Sequence, residues 1–185
     1  MREQIKTKEQ SKNKIIKLNV NRVPEIFIHK SDKESMIAFF AQNVEELYIV
    51  RDAENASGKY YYVKTVSECY EKAQSFSGKI IVAVSINTYK NKILLGAIEV
   101  DGELVRICAT ENEELDHRTM YNGKAEFNYQ TDIFDKKLSR IPQFDFLYDY
   151  IITNHLDGYT VEFTIYDKPV GVKKEKIIIN EVRNY

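Results

Sequence analysis

The sequence predicts an α+β fold, organised as a single domain with a mainly antiparallel sheet and two to four helices. Three observations support this prediction. Many short segments alternate between apolar and polar residues, as β-strands do. Two capping boxes, Ser31–Glu34 and Thr65–Glu68, predict the starts of helices. The dipeptide Asp101-Gly102 separates two alternating segments and indicates a hairpin, which implies antiparallel pairing.

The predicted elements follow in the order strand, helix, strand, strand, helix, several strands, helix and terminal hairpin. Alternation predicts the strands, and apolar residues on one helical face predict the helices. Apolar residues occupy both sets of alternate positions in the segment Lys79–Ile86, which predicts a strand covered on both faces. The predicted strands lie at residues 24–29, 47–51, 60–64, 79–86, 92–100, 103–109, 125–129, 159–167 and 174–182, and the helices begin at Ser31, Thr65 and Ile141.

Size and composition narrow the class of protein. The 185 residues and the hydrophobic content of 43% fit one globular domain. A formal net charge of −1 excludes a protein that binds nucleic acid through the positive charge of the whole molecule. No apolar run is long enough to span a bilayer, and we expect a cytoplasmic protein without a membrane partner. Cys69 and Cys108 match no disulfide or zinc pattern, so we expect reduced core thiols.

Residues 1–20 differ in composition from the rest of the chain. Lysines recur there among Gln, Asn and Ser, and few large apolar residues precede Ile15. We therefore expect a basic flexible arm, mobile or weakly helical, followed by one domain over residues 21–185. A solvated tail is the simpler interpretation of the arm. The alternative is contact with an acidic partner, and nucleic acid is expected to bind through this arm or not at all.

The terminal hairpin is predicted to place two carboxylates face to face. The bend around residues 168–171 predicts a hairpin turn, and a hairpin centred near Gly171 and Val172 pairs Glu162 with Glu181. Directly opposed side chains have Cβ atoms about 5 Å apart, where like charges destabilise the sheet. Such a pair needs a cation, a shared proton or access to solvent, and Asn184 adds a neutral oxygen for a metal ion. In the alternative, both carboxylates are solvated and a nearby basic residue neutralises them: Lys173, Lys174 or Arg183.

Basic side chains at other positions are candidates for phosphate binding. Arg51 and Lys59 flank a polar loop, and a guanidinium holds phosphate oxygens as a fork while a loop lysine closes over them. The alternative for Arg51 is an ion pair with Asp52 or Glu54 at a surface turn. Arg106 lies in mid-strand between apolar neighbours, so its side chain faces a cleft, a partner carboxylate or water.

In the order of its elements the chain resembles the ATP-grasp nucleotide-binding domain, from about Val23 to the C-terminus. Val23-Pro24 begins the first strand of that pattern, and Arg51 ends the strand that in the family carries a phosphate-contacting basic residue, usually Lys. Residues 53–59 resemble the flexible loop that covers the phosphates. The other matching segments are Ser31–Asn43, Val63–Ala73, the adenine-edge strand Ile80–Ile86, the hairpin at Asp101-Gly102, and the two acidic strands Val161–Phe163 and Ile179–Glu181.

The resemblance implies a set of ligands and roles. ATP and Mg²⁺ would be the cofactors, and the domain would join a small carboxylate substrate to an amine or thiol through an acyl-phosphate. Arg106 would be a catalytic residue that orients the acyl-phosphate. The phosphate-binding residues would be Arg51, Ser57, Gly58 and Lys59, and the magnesium ligands would be Glu162, Glu181 and Asn184.

Several departures from the family pattern point to a degenerate or phage-type variant. Arg51 replaces the usual Lys, and the chain ends in Glu-x-x-Asn where the usual form is Glu-x-Asn. The segment Val84–Asn87 has no Glu at the end of the adenine strand, and we expect that the family's preceding substrate-binding domain is absent. The alternative function is therefore a non-enzymatic accessory protein of a phage or mobile element that binds a host protein.

Overall fold

The computed structural model describes residues 4–54, 59–112 and 123–184. Within them, four α-helices accompany two fully antiparallel sheets of four and five strands. The predicted α+β fold class is thereby confirmed. The contacts define two compact units. The N-terminal unit comprises Lys6–Gln10 and Val23–Lys90, and the C-terminal unit comprises Ser11–Arg22 and the chain from Asn91 onward, with Ile5.

The N-terminal unit is a four-stranded sheet with two helices. Its strands lie in the order β1-β4-β2-β3. Every residue of β4 from Ile80 to Val84 is buried, as predicted for a strand covered on both faces. Tyr48 of β2 packs against α2, where the Phe40 ring stacks on it with centroids 4.0 Å apart. The elements are β1 (Glu25–His29), α2 (Lys33–Gln42), β2 (Tyr48–Asp52), β3 (Tyr60–Val63), α3 (Val66–Ala73) and β4 (Lys79–Val84).

The predicted N-cap residue is confirmed for one of the two capping boxes and is displaced by one residue for the other. Thr65 is the N-cap of α3 as predicted, and its hydroxyl accepts the N–H of Glu68 at 3.2 Å. The prediction that Ser31 caps α2 is wrong by one residue, because Asp32 is the N-cap and accepts the N–H of Ser35 at 3.0 Å. That bond, together with the Ser35 hydroxyl, lowers the pKa of Asp32. A carboxylate favours the positive end of a helix, which explains why Asp32 is the cap.

The C-terminal unit contains a five-stranded sheet in the order β7-β6-β5-β8-β9. The predicted hairpin at Asp101-Gly102 is present, with Gly102 at φ +61° between β5 and β6. The elements are α1 (Lys8–Lys17, of which Ser11 onward belongs to this unit), β5 (Lys92–Asp101), β6 (Leu104–Thr110), β7 (Phe127–Asp132), α4 (Phe144–Thr153), β8 (Thr160–Val170) and β9 (Glu175–Arg183).

One face of this sheet carries the hydrophobic core of the unit. Ile15 of α1 and Leu147 of α4 are fully buried in it, against sheet residues such as Phe163. The helical form of the predicted arm is therefore the one observed for Lys8–Lys17, and Ile15 and Val20 anchor it. The expectation of a separate flexible arm does not hold there, because its few apolar residues are core residues.

The β8–β9 turn is held by a buried asparagine. The Asn21 side-chain amide donates to the Ile177 carbonyl at 2.7 Å and to the Val170 carbonyl at 2.9 Å. Its oxygen accepts the N–H of Lys173 at 2.8 Å. Gly171 lies beside it at φ +75°. These bonds fix the hairpin whose strands carry the predicted acidic pair.

The two cysteines are free thiols in different environments. Cys69 is fully buried, and burial raises its pKa to about 12. Cys108 is only half-buried, and burial raises its pKa as well. In the part of the chain that the structure describes, no helix is both long and apolar enough to cross a membrane.

Candidate functional site

Glu162 and Glu181 are directly opposed across β8 and β9, as the sequence predicts. They lie on the face of the sheet opposite the hydrophobic core, and we call the part of this face that carries the two rows described next the polar face. Both carboxylates are largely shielded, since their side chains are 12% and 8% exposed. Two rows cross this face in register: Arg106, Glu99, Thr160 and Arg183 form one, and Cys108, Ala97, Glu162 and Glu181 form the next.

Arg183 is a cation that contacts both carboxylates of the acidic pair. Its Nε donates to Oε1 of Glu181 at 2.6 Å, and its Nη2 lies 3.5 Å from Oε1 of Glu162. Arg183 follows Glu181 by two residues, so alternation brings both side chains to the same face. Its strand partner is Thr160, which places the guanidinium diagonally across from Glu162. Of the three basic residues in the predicted alternative, Arg183 is the one in contact with both carboxylates.

Asn184 is not brought to the acidic pair. It follows Arg183 directly, so its side chain lies on the face of Val182, and its backbone forms a bridge with Ile5. An odd spacing in a strand changes the face, which the predicted Glu-x-x-Asn ligand set overlooked. The amide on the polar face is Asn180, whose Nδ2 donates to the Thr164 hydroxyl at 3.0 Å. Asn180 occupies the register shift of β9, a feature that alternation does not predict.

These residues do not fit a magnesium ion in the observed arrangement. Mg²⁺ requires nearly octahedral oxygen ligands at short distance. Here the two carboxylates of the pair already contact a guanidinium. Among the described residues, no group of three or more His, Cys, Asp or Glu side chains is arranged to hold a metal.

Arg106 is engaged in the first polar row. Its Nη1 contacts Oε1 of Glu99 at 2.6 Å, and the Thr160 hydroxyl donates to the other oxygen of Glu99 at 3.3 Å. The side chain of Arg106 is 44% exposed. Of the predicted alternatives, both the partner carboxylate and exposure to water are observed.

Arg51 lies at the centre of the N-terminal sheet, paired with Tyr60 of β3 and Ile81 of β4. Its Nε is buried and has no hydrogen-bond partner among the described residues. No ion pair joins it to Asp52 or Glu54 within those residues. Asp52 is adjacent along the strand, so its side chain lies on the opposite face, and its Oδ1 accepts the N–H of Glu54 at 2.8 Å.

Lys59 is held on the other face of the same sheet. Its Nζ lies 5.4 Å from the centroid of the Tyr61 ring and 5.9 Å from that of Phe76. Hydrogen bonds from Ser75 and then from Lys59 lower the pKa of Tyr61. Tyr61 pairs with Val50, so both alternate away from Arg51. The structure therefore does not bring Arg51 and Lys59 together.

Two predicted phosphate-binding residues, Ser57 and Gly58, lie outside the described residues. Arg183 was one of three predicted neutralising residues, and it is the one in contact with both carboxylates. Asn180 was not among the predicted site residues. The two-residue spacing of Glu181 and Arg183 was a usable signal, because in a strand it places the two side chains on one face.

Comparison with known proteins places the fold. No protein-family model matches the chain, and no curated protein sequence matches it. Solved structures do. D-alanyl-alanine synthetase A from Vibrio cholerae is similar over 96% of this chain and 54% of its own, with 17% identity and a TM-score of 0.53. The ADP complex of N5-carboxyaminoimidazole ribonucleotide synthetase is similar over 97% and 45%, with 13% identity and a TM-score of 0.53.

A third similar structure is the macrocyclase MdnC bound with precursor peptide MdnA from Microcystis aeruginosa. It matches 95% of this chain and 52% of its own, with 11% identity and a TM-score of 0.51. The chain thus spans about half the length of the solved structures it matches. Together with the strand order and the two sheets, these likenesses support an ATP-grasp-like fold.

Proposed function

We propose that the chain binds ATP and acts as an ATP-grasp-like ligase domain, joining a carboxylate to an amine or thiol. The observation that carries this proposal is the buried Nε of Arg51, which lacks a hydrogen-bond partner among the described residues. A buried donor without an acceptor is costly, and in native structures it calls for a specific explanation. A phosphate oxygen is the acceptor that a guanidinium matches best.

The position of Arg51 and the fold both support this proposal. Arg51 is in the strand that, by resemblance, presents the phosphate-binding basic residue. One of the similar structures contains ADP. In the proposed reaction, the γ-phosphoryl group of ATP moves to a carboxylate oxygen and ADP leaves. The amine or thiol then attacks the carbonyl carbon of the acyl-phosphate, and inorganic phosphate leaves.

The chain's own residues would contribute binding and orientation. Arg51 would donate to a phosphate oxygen and offset the charge that accumulates during transfer. Lys59, Ser57 and Gly58 are the further residues that we propose for phosphate binding. Arg106, whose guanidinium contacts Glu99, would orient the acyl-phosphate.

Isothermal titration calorimetry with ATP tests the proposal. Wild type is expected to bind one ATP, and Arg51→Gln is expected to weaken binding at least about tenfold, because a charge-assisted hydrogen bond to phosphate is lost. Arg140→Gln is the matched control, since Arg140 is exposed and lies in another part of the chain. Folded wild-type protein that binds no ATP at millimolar concentration would contradict the proposal.

A second candidate function is a non-enzymatic accessory protein of a phage or mobile element that binds a host macromolecule. The contact of Arg183 with both carboxylates favours this alternative, because it occupies groups that an active ligase would use. Affinity capture from a lysate discriminates the two. A stoichiometric partner that survives excess ATP and chelator supports the accessory role, and recovery of the chain alone counts against it.

A further inference from the structure

We propose that Arg183 is the built-in cation of the acidic pair and closes it to divalent metal ions. The predicted pair of opposed carboxylates needs a positive charge, and the structure supplies it from the same strand. The polar face is therefore a guanidinium-neutralised surface and not a magnesium site.

The register of the hairpin determines this contact. Glu162 pairs with Glu181, and Thr160, two residues earlier on β8, pairs with Arg183. The guanidinium is thus next to Glu181 along its own strand and diagonal to Glu162 on the neighbouring strand. Its Nε and Nη2 reach one oxygen of each carboxylate, at 2.6 Å and 3.5 Å. A planar fork of donors suits two carboxylates in this arrangement.

The charges of the cluster oppose a metal ion. The Arg183 guanidinium offsets one of the two negative charges that Glu162 and Glu181 would otherwise offer to a cation. A divalent ion that bound both carboxylates would have to displace the guanidinium and would then lie beside a positive charge. The carboxylates are shielded, with side chains 12% and 8% exposed, so this repulsion would be weakly screened by solvent.

ATP binding, which rests on the proposed function, should not depend on a metal ion at the acidic pair. If the chain binds ATP, Glu162→Gln should leave the affinity for ATP in Mg²⁺ unchanged, because the acidic pair does not hold the metal. Should ATP not bind at all, the proposed function fails, while the metal measurement below still decides the inference about Arg183.

The test is Mn²⁺ binding measured by electron paramagnetic resonance, without nucleotide. Wild type is expected to leave Mn²⁺ free in solution. Arg183→Asn removes the cation and adds an amide oxygen on the same strand face, and we expect its affinity for Mn²⁺ to rise at least about tenfold. Arg183→Ala tests removal of the cation without a new ligand. Circular dichroism establishes that each variant is folded.

Two further variants test whether the positive charge at residue 183 and the Glu162 carboxylate control Mn²⁺ binding. Arg183→Lys keeps a positive charge and should bind Mn²⁺ no better than wild type. Adding Glu162→Gln to Arg183→Asn should abolish the gained binding, since one carboxylate ligand is lost. The inference is overturned by wild type that binds stoichiometric Mn²⁺ and loses it in Glu162→Gln, or by folded Arg183→Asn and Arg183→Ala proteins that bind Mn²⁺ no better than wild type.

Discussion

Arg51 and Arg183 illustrate two opposite environments for the same side chain. Arg183 contacts two carboxylates, so its charge stabilises the hairpin that carries them. Arg51 has a buried Nε with no acceptor among the described residues. A buried donor without an acceptor lowers the stability of the fold. Other contacts, or a ligand that supplies an acceptor, must offset this cost. The two arginines therefore mark a structural contact and a candidate binding contact.

Gly171 provides a prediction at the scale of one residue. A Cβ at this position would lie 2.7 Å from the Arg22 carbonyl oxygen and 2.7 Å from Asn21 Oδ1, and its φ is +75°. Gly171→Ala should therefore lower the free energy of unfolding by about 1–2 kcal/mol for the left-handed backbone and a further ~1–3 kcal/mol for the clash. Urea unfolding measures the loss.

Gly102→Ala is the matched control for this prediction. Gly102 also has a positive φ, of +61°, but a Cβ there would meet nothing within 4 Å. The variant should lose only the backbone contribution, about 1–2 kcal/mol. Equal losses in the two variants would show that the contact with Asn21 does not constrain the turn.

At the scale of elements, α1 is the part of the chain that the sequence pattern described least well. Its lysines suggested an arm, but Lys12 is only 2% exposed and the Lys14 ammonium lies 4.9 Å from the Tyr159 ring centroid. The Ser11 hydroxyl accepts the N–H of Val182 at 2.9 Å. These contacts join residues far apart in sequence, which local composition does not reveal.

Ile15→Ala should lower the free energy of unfolding by about 2–5 kcal/mol, because Ile15 is fully buried and its removal leaves a cavity. Its neighbour Ile16 is 41% exposed, so Ile16→Ala should change the stability by about 0.5 kcal/mol or less. Denaturant unfolding of both variants measures this difference. A similar effect of the two substitutions would mean that α1 does not pack as the structure shows.

The hairpin shows both the strength and the limit of sequence patterns. Alternation and a turn near Gly171 correctly predicted that Glu162 faces Glu181. The bend was predicted at residues 168–171, but β8 continues to Val170 and the turn spans residues 171–174. The register also shifts twice along β8 and β9. Those irregularities depend on contacts such as that of Asn21 with the Ile177 carbonyl, which only the folded chain supplies.

At the scale of the whole molecule, the order of elements was predictable and the roles of side chains were not. Capping boxes, a Gly-containing turn and alternation are local signals, and they led to the correct fold class. The contacts of Arg106 with Glu99 and of Lys59 with Tyr61 depend on which strands pair and on which face each residue lies. A resemblance in element order therefore supports the fold more strongly than it supports ligand residues.

The most direct test of the account is a crystal structure of the protein grown with a non-hydrolysable ATP analogue and Mg²⁺. The account predicts a phosphate oxygen within hydrogen-bond distance of Arg51 Nε, and an Arg183 guanidinium still in contact with Glu162 and Glu181. An analogue bound away from Arg51, or a metal ion between the two carboxylates with Arg183 displaced, would contradict it.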